Sequence, residues 1–385
     1  MSLPDLHSIE ASPRWIVAEG AHPPAPPRRV LVHQSRFRVG DALWLTPLLR
    51  AVRRAFPGTS VTVVAGPLAE PVLARSPHVS DLVIWDPAGG EEERARVLAE
   101  LAQTRFAAAL FALVRRDKSR WLAEAAAAAG VPWRVNLEYV DGADDGGREP
   151  DGLFTHEAWF VWGRKPSPEL LLHALEPWLG AGEWLADRRV ELPVLAAERQ
   201  EAARFLEETG LGDGGFTVLA PAGHSSERWP PERFAEFAVA WAAEADQFLV
   251  IEGAPADEPL LREVERHIAR RSAGPCRWRV ATHPLGVLAA LLERASLLVS
   301  NDSAPIHVAE AAGAPTLYFA QREKLIHSRP AGAACWALSD ERENRLAEIS
   351  AEAALAAARE MERRGLLRGG KRREKVAPAG AAWYL

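Results

Sequence analysis

The feature that most constrains this chain is an alternation that runs, stops and starts again. RRVLVHQ (28–34), SVTVVAG (60–66) and DLVIWD (81–86) are short apolar runs bounded by Gly, Pro or Asp. Helix-length stretches separate them: 41–56, with Leu43, Pro47, Leu48, Val52 and Phe56 on one side, then LAEPVLARS (68–76) and EEERARVLAELAQ (91–103). FAAALFALV (106–114) reads as a strand or buried segment, and RWLAEAAAAAG (120–130) as a helix stopped by Gly130. Strands of this length spaced by helices build βαβ units and a mainly parallel sheet with helices on its faces. The loop-like DGADDGGREPDG (141–152) and a leucine- and aromatic-rich stretch from His156 to Leu185, read as helical, interrupt the pattern.

It restarts at FTVLAPAG (216–223) and continues through QFLVIEG (247–253), SLLVSND (296–302) and APTLYFA (314–320), again with helices between. The chain of 385 residues is long enough for two or three domains at about 150 residues each. The expected division is a proline-ended arm (1–27), a Rossmann-like domain (28–185), a connection (186–212), a second Rossmann-like domain (213–345), and a helix with a basic tail (346–385). Ligands of such sheets bind outside the carboxyl ends of the strands. Two halves facing across a cleft would therefore offer one substrate site each.

Composition excludes more than it specifies. Lys plus Arg is 46 against 52 for Asp plus Glu, a net charge of −6, which removes the electrostatic case for a dedicated nucleic-acid binder. Two cysteines, Cys276 and Cys335, form neither a CxxC site nor a disulfide framework. No apolar run is long enough to span a membrane, and MSLPDLHSIEASPRW lacks the basic-then-apolar order of a secretory signal. The expectation is a cytoplasmic protein.

Three segments carry chemistry. In SRFRVGDALWLTP (35–47), Gly40 permits a tight turn and Asp41 opens the following helix, either as a cap or as a general base at the mouth of the first strand. Arg36 and Arg38 flank it and suit an anionic acceptor. In PAGHSSERWPPERF (221–234), Gly223, Ser225, Ser226 and Arg228 together offer N–H, O–H and guanidinium donors for phosphate oxygens. Trp229 and Pro230 set the turn, with Pro231 at the helix start. VSNDSAPIHVAEAAGAPTLYF (299–319) is the most specific. Asp302 and Ser303 stand at a helix N-terminus, whose open N–H groups and positive end favour a diphosphate. Ala304 and Pro305 follow, and His307 shares a helix face with Ser303. Asp302 suits capping the helix, binding a sugar or ribose hydroxyl, or orienting the loop. HExxH, paired Cys and GxSxG are all absent, so neither a zinc site nor a serine hydrolase is read.

Taken together, these segments, with VIEGAPADEP (250–259), resemble glycosyltransferase family 9, the ADP-heptose lipopolysaccharide heptosyltransferases and their relatives. The resemblance covers roughly 28–345 in order and spacing. It implies a GT-B fold, two Rossmann-like domains with parallel sheets facing across a cleft, the acceptor on the first and the nucleotide-sugar on the second. It implies inverting transfer without a metal or other cofactor, with Asp41 as base. Gly223, Ser225, Ser226, Arg228, Asp302, Ser303, Ala304 and His307 fall on the donor side, and Arg36, Arg38 and Gly40 on the acceptor side. Two positions depart from the family pattern: Glu227 stands where a Lys is usual, and Ala304 where a Gly is usual.

The implied donor is an ADP-sugar and the implied acceptor a glycan or glycolipid, with contact at the inner face of the membrane. Arg115, Arg116, Lys118 and Arg120 form a basic run that suits acceptor phosphates, a membrane surface or a solvated helix start. The rival readings are a related transferase acting on a protein or small molecule, and a degenerate nucleotide-sugar-binding or assembly protein motivated by Glu227 and Ala304.

Overall fold

The computed structural model describes residues 15–18, 26–34, 38–112, 116–140, 152–161, 167–180, 182–212, 215–223, 228–272, 274, 276–331, 334–340 and 345–369. Its contacts divide the chain into two compact units, Met1–Glu191 and Leu192–Leu385.

The first unit carries strands β1 (Trp15–Val17), β2 (Arg29–His33), β3 (Ser60–Ala65), β4 (Asp81–Ile84), β5 (Ala108–Ala112), β6 (Trp133–Val140) and β7 (His156–Val161). Its helices are α1 (Val39–Ala55), α2 (Glu70–Leu73), α3 (Gly90–Leu101), α4 (Arg116–Ala128), α5 (Ser167–Leu172) and α6 (Glu176–Leu179). The sheet order is β1-β7-β6-β5-β2-β3-β4, parallel throughout except for β1. The second unit carries β8 (Phe216–Ala220), β9 (Phe248–Glu252), β10 (Trp278–Ala281), β11 (Leu297–Asn301), β12 (Thr316–Phe319) and β13 (Cys335–Leu338), in the order β10-β9-β8-β11-β12-β13. Its helices are α7 (Ala196–Glu208), α8 (Pro231–Ala245), α9 (Glu258–Arg271), α10 (Leu285–Leu292), α11 (Ala304–Ala312) and α12 (Ala351–Arg363).

Leaving β1 aside, both units count their strands across the sheet as 3-2-1-4-5-6, the order of a dinucleotide-binding Rossmann sheet. The central strands are apolar on both faces because helices cover both. Every residue of β5, β8, β9 and β11 is buried.

Three sequence expectations change. His156–Val161 is a strand, β7, rather than the start of a helical region. The presumed arm contributes β1, which pairs antiparallel with β7, Trp15 opposite Ala158 and Val17 opposite His156. Its indole N–H donates to Glu176 at 3.1 Å, and the rings of Trp15, His156, Trp133 and Trp178 follow one another in contact. Within 186–212, Asp187–Glu191 is tied to α1, whereas α7 packs on α10 in the second unit.

The tie to α1 begins with Pro47 inside that helix, which has no N–H for the Leu43 carbonyl. The Thr46 hydroxyl donates to that carbonyl instead, at 2.7 Å, and accepts the Glu191 N–H at 2.9 Å. Arg50, buried on the same helix, pairs with Asp187 at 3.0 Å and Glu191 at 2.7 Å and also donates to the carbonyls of Asp187 and Arg189. Burial raises the Asp187 carboxyl, but Arg50, Arg189 and Arg54 outweigh it and hold the group below its usual range.

Candidate active site

In the order both units share, the strand sequence reverses direction between strands 1 and 4, and the crevice outside their carboxyl ends is where such sheets bind ligands. The chemistry-bearing residues fall there. In the first unit β2 leads into α1, and Arg38 is the N-cap residue, extended at φ −91° and ψ 155°. Gly40 lies within the first helical turn of α1 rather than in a tight turn before it. Asp41 is the third residue of the helix and 6% exposed. A carboxylate there interacts favourably with the positive end of the helix. Arg38 is exposed; Arg36 lies outside the described residues.

In the second unit the described residues 221–223 and 228–229 after β8, and 302–303 after β11, flank the crevice. Asn301 joins them. It is fully buried, its amide oxygen accepts the Trp229 N–H at 2.7 Å, and its NH2 donates to the Pro221 carbonyl at 2.8 Å. Gly223 is glycine for space: a Cβ on it would stand 3.2 Å from the Asn301 Cβ and 3.6 Å from the Arg228 side chain. Trp229 anchors the loop from below, stacked on Phe319 at 3.9 Å, its indole donating to the Ile349 carbonyl at 2.8 Å. Pro230 is then the N-cap of α8 and Pro231 its first residue, as the sequence suggested. Ser225, Ser226 and the departure Glu227 lie outside the described residues.

Ser303 is the N-cap of α11, with Ala304 and Pro305 in its first turn. The Ser303 side chain gives no capping bond. The Ser303 hydroxyl turns back to the Asn301 carbonyl at 3.3 Å, and Asp302 accepts the Ser328 hydroxyl at 3.0 Å. Of the three uses open to Asp302, orienting a loop is the one this contact realises. His307 is buried four residues into the helix, its Nδ1 3.2 Å from Glu310. The partners Asn301, Ser328 and Glu310 are missing from the sequence reading. Asn301 and Glu310 lie inside the quoted 299–319 segment, where their polar side chains are the available signal, but the Ser328 contact crosses a separation that no local pattern reveals.

Further along the same edge, Glu252 at the end of β9 is almost wholly buried. Its two oxygens take the His283 N–H and the His283 Nδ1, each at 2.7 Å. Burial raises its carboxyl against the lowering effect of His283. Among the described residues, Glu232, Glu263 and His267 could together offer three metal-ligand atoms within 4.8 Å of one another. His267 is already engaged, with Nε2 3.4 Å from Glu232 and Nδ1 3.3 Å from the Arg271 guanidinium. An arginine donor at Nδ1 favours the tautomer whose Nε2 carries the hydrogen, which opposes metal binding there.

Residues 176–353 match the model of glycosyltransferase family 9 (heptosyltransferase). The glycosyl transferase family 9 structure from Veillonella parvula DSM 2008 superposes with a TM-score of 0.69 at 21% identity, covering 87% of this chain and 97% of that one. The E. coli ADP-heptose LPS heptosyltransferase II gives 0.64 at 18% identity, over 86% and 98%. E. coli heptosyltransferase WaaC with ADP-2-deoxy-2-fluoro heptose gives 0.59 at 18%, over 86% and 99%. No curated protein sequence matches the chain. The two-sheet, two-unit architecture is thus GT-B-like.

Proposed function

We propose that the protein is an inverting, metal-independent glycosyltransferase that moves a heptose or related sugar from a nucleoside-diphosphate donor, ADP in our reading, to a hydroxyl of a glycan or glycolipid acceptor. The pathway would be assembly of a lipopolysaccharide core or a related glycoconjugate. The observation that carries the reading is the second unit's crevice, where Asn301 ties Pro221 and Trp229, beside Gly223 and Arg228, to the helix start at Ser303. That edge offers the positive end of α11 and one guanidinium, Arg228, to a diphosphate. The WaaC structure contains an ADP-sugar analogue, which supports ADP as the nucleotide to test first.

In this mechanism the acceptor oxygen attacks the anomeric carbon as the bond to the diphosphate breaks, and Asp41 takes the hydroxyl proton. Charge then develops on the leaving phosphate, where Arg228, the Ser303 region and the helix end stabilise it most strongly in the transition state. Ser225 and Ser226 belong to this donor set, and Arg36, Arg38 and Gly40 to the acceptor side. Among the described residues no helix is long and apolar enough to cross a membrane. Work in the cytoplasm, with peripheral contact at the inner membrane face, remains part of the proposal.

Asp41→Asn tests it. Removing a general base should cut transfer about 100- to 10,000-fold while leaving ADP-sugar binding in place, without added divalent metal. Undiminished transfer by the variant would sink the assignment of the base.

A further inference from the structure

The donor reading puts an anion at the N-terminus of α11, yet the chain sets an anion of its own beside it. Asp302 stands next to Ser303, the N-cap of that helix. A helix N-terminus attracts any nearby negative group, so a carboxylate at that position is an internal rival for the end a diphosphate would use. The Ser303 side chain gives no capping bond and so does not fill that end itself.

The segment after β12 directs that carboxylate. The Asp302 N–H donates to the Phe319 carbonyl at 2.9 Å, one residue beyond the pairing of Asn301 with Phe319. The chain then turns away through Arg322–Lys324 and comes back, the Lys324 carbonyl accepting the Ser328 N–H at 2.9 Å. There the buried Ser328 hydroxyl donates to Asp302 Oδ2 at 3.0 Å. Main chain and side chain of Asp302 are thus both held by this segment. The Ala331 N–H fastens the same segment to α11 again, through Glu310 Oε1 at 2.8 Å. Asp302 makes further interactions, so the Ser328 bond is one share of its restraint.

Resting on the donor-site reading above, we propose that Ser328 is a positioning residue of that site. It turns the Asp302 carboxylate toward the segment after β12 and away from the end of α11, which is thereby kept for the phosphates of a nucleoside diphosphate. The bond is charge-assisted and its donor is 4% exposed, so water does not readily take its place. Ser328 need not touch the donor, because it acts through Asp302. Without the hydroxyl the carboxylate is short of one donor, and the N–H groups of the first helical turn are a ready substitute.

Calorimetric titration of the full chain with ADP tests the role in the wild type, Ser328→Ala, Asp302→Asn and the double variant. Ser328→Ala should weaken ADP about three- to tenfold, because a carboxylate that caps the helix leaves only about a third to a tenth of the molecules competent to bind. Asp302→Asn removes the competing charge and keeps the shape, so it should bind ADP at least as tightly as the wild type. Joined to Ser328→Ala it should restore the lost affinity, the double variant lying within about twofold of Asp302→Asn alone. A Ser328 that merely shapes the segment would weaken ADP equally in both backgrounds, and that result overturns the proposal. Undiminished affinity in Ser328→Ala overturns it too, as does an Asp302→Asn that binds ADP more weakly than the wild type. A wild type that fails to bind ADP overturns the donor-site reading, and this proposal with it.

Discussion

Asn301→Asp is the sharpest perturbation of the second unit's crevice because it changes one atom's chemistry and almost nothing of its shape. One carboxylate oxygen can still accept the Trp229 N–H, as the amide oxygen does at 2.7 Å. The other takes the place of an NH2 that donates to the Pro221 carbonyl at 2.8 Å, so two acceptors meet with no hydrogen between them. The site is completely buried, and water cannot relieve the contact. An unsatisfied carbonyl costs about 1–3 kcal/mol, and a buried charge without a cation adds to it. Together they suggest a loss of roughly 3–5 kcal/mol at neutral pH. Protonation restores a donor, so the carboxyl's folded pKa must lie above its unfolded value of about 3.9. With that sign, the deficit is smallest below the unfolded value and grows as pH rises through the folded one. Urea unfolding of variant and wild type, compared at neutral pH and at about pH 4.5, measures it through the linear dependence of stability on denaturant. A deficit absent at neutral pH, or the same at both, would refute the claim that Asn301 works as a donor–acceptor pair joining the two loops.

Two further outcomes are expected. His33 is fully buried and burial depresses its pKa to about 4, against the opposing effect of its bond to the Val64 carbonyl. Its neutral form stabilises the first unit fully above pH 6.5, and this is lost as pH falls from there toward 4. The gap is worth ~3 kcal/mol, so His33→Gln should show a correspondingly shallower acid loss in urea melts than the wild type. Arg228→Ala should raise the donor KM or lower kcat; no change in either would remove Arg228 from the phosphate site.

Where secondary structure follows from local pattern, the sequence was readable. β2, β3, β8, β9 and β11 are buried runs between turn residues, and the helices between them show their apolar faces. β10 and β13 were not found, for a physical reason. Trp278–Ala281 and Cys335–Leu338 are four residues each and only partly buried, and they lie at the edges of their sheet. Half-covered edges show neither a solid apolar run nor a clean alternation. β7 was misread because its aromatic residues and the leucines after it fit a helix as well as a strand, and only pairing with β6 decides. The site divides the same way. Asp302, Ser303 and His307 sit in one contiguous motif, whereas the link from Asn301 to Trp229 crosses 72 positions and exists only once β8 and β11 are neighbours.

The strand formed by Trp15–Val17 has a bearing on solubility rather than chemistry. Without it, β7 would end the first sheet as a bare ladder of N–H and C=O groups, the kind of margin on which a second chain can add itself. β1 covers that margin from His156 to Ala158, and the indole bond to Glu176 fastens it in place. A chain begun at Arg28 would keep β2, Asp41 and both Rossmann sheets, yet expose an adhesive border. What the residues before the first Rossmann strand supply is therefore a guard against self-association, written outside the catalytic fold but folded into its sheet.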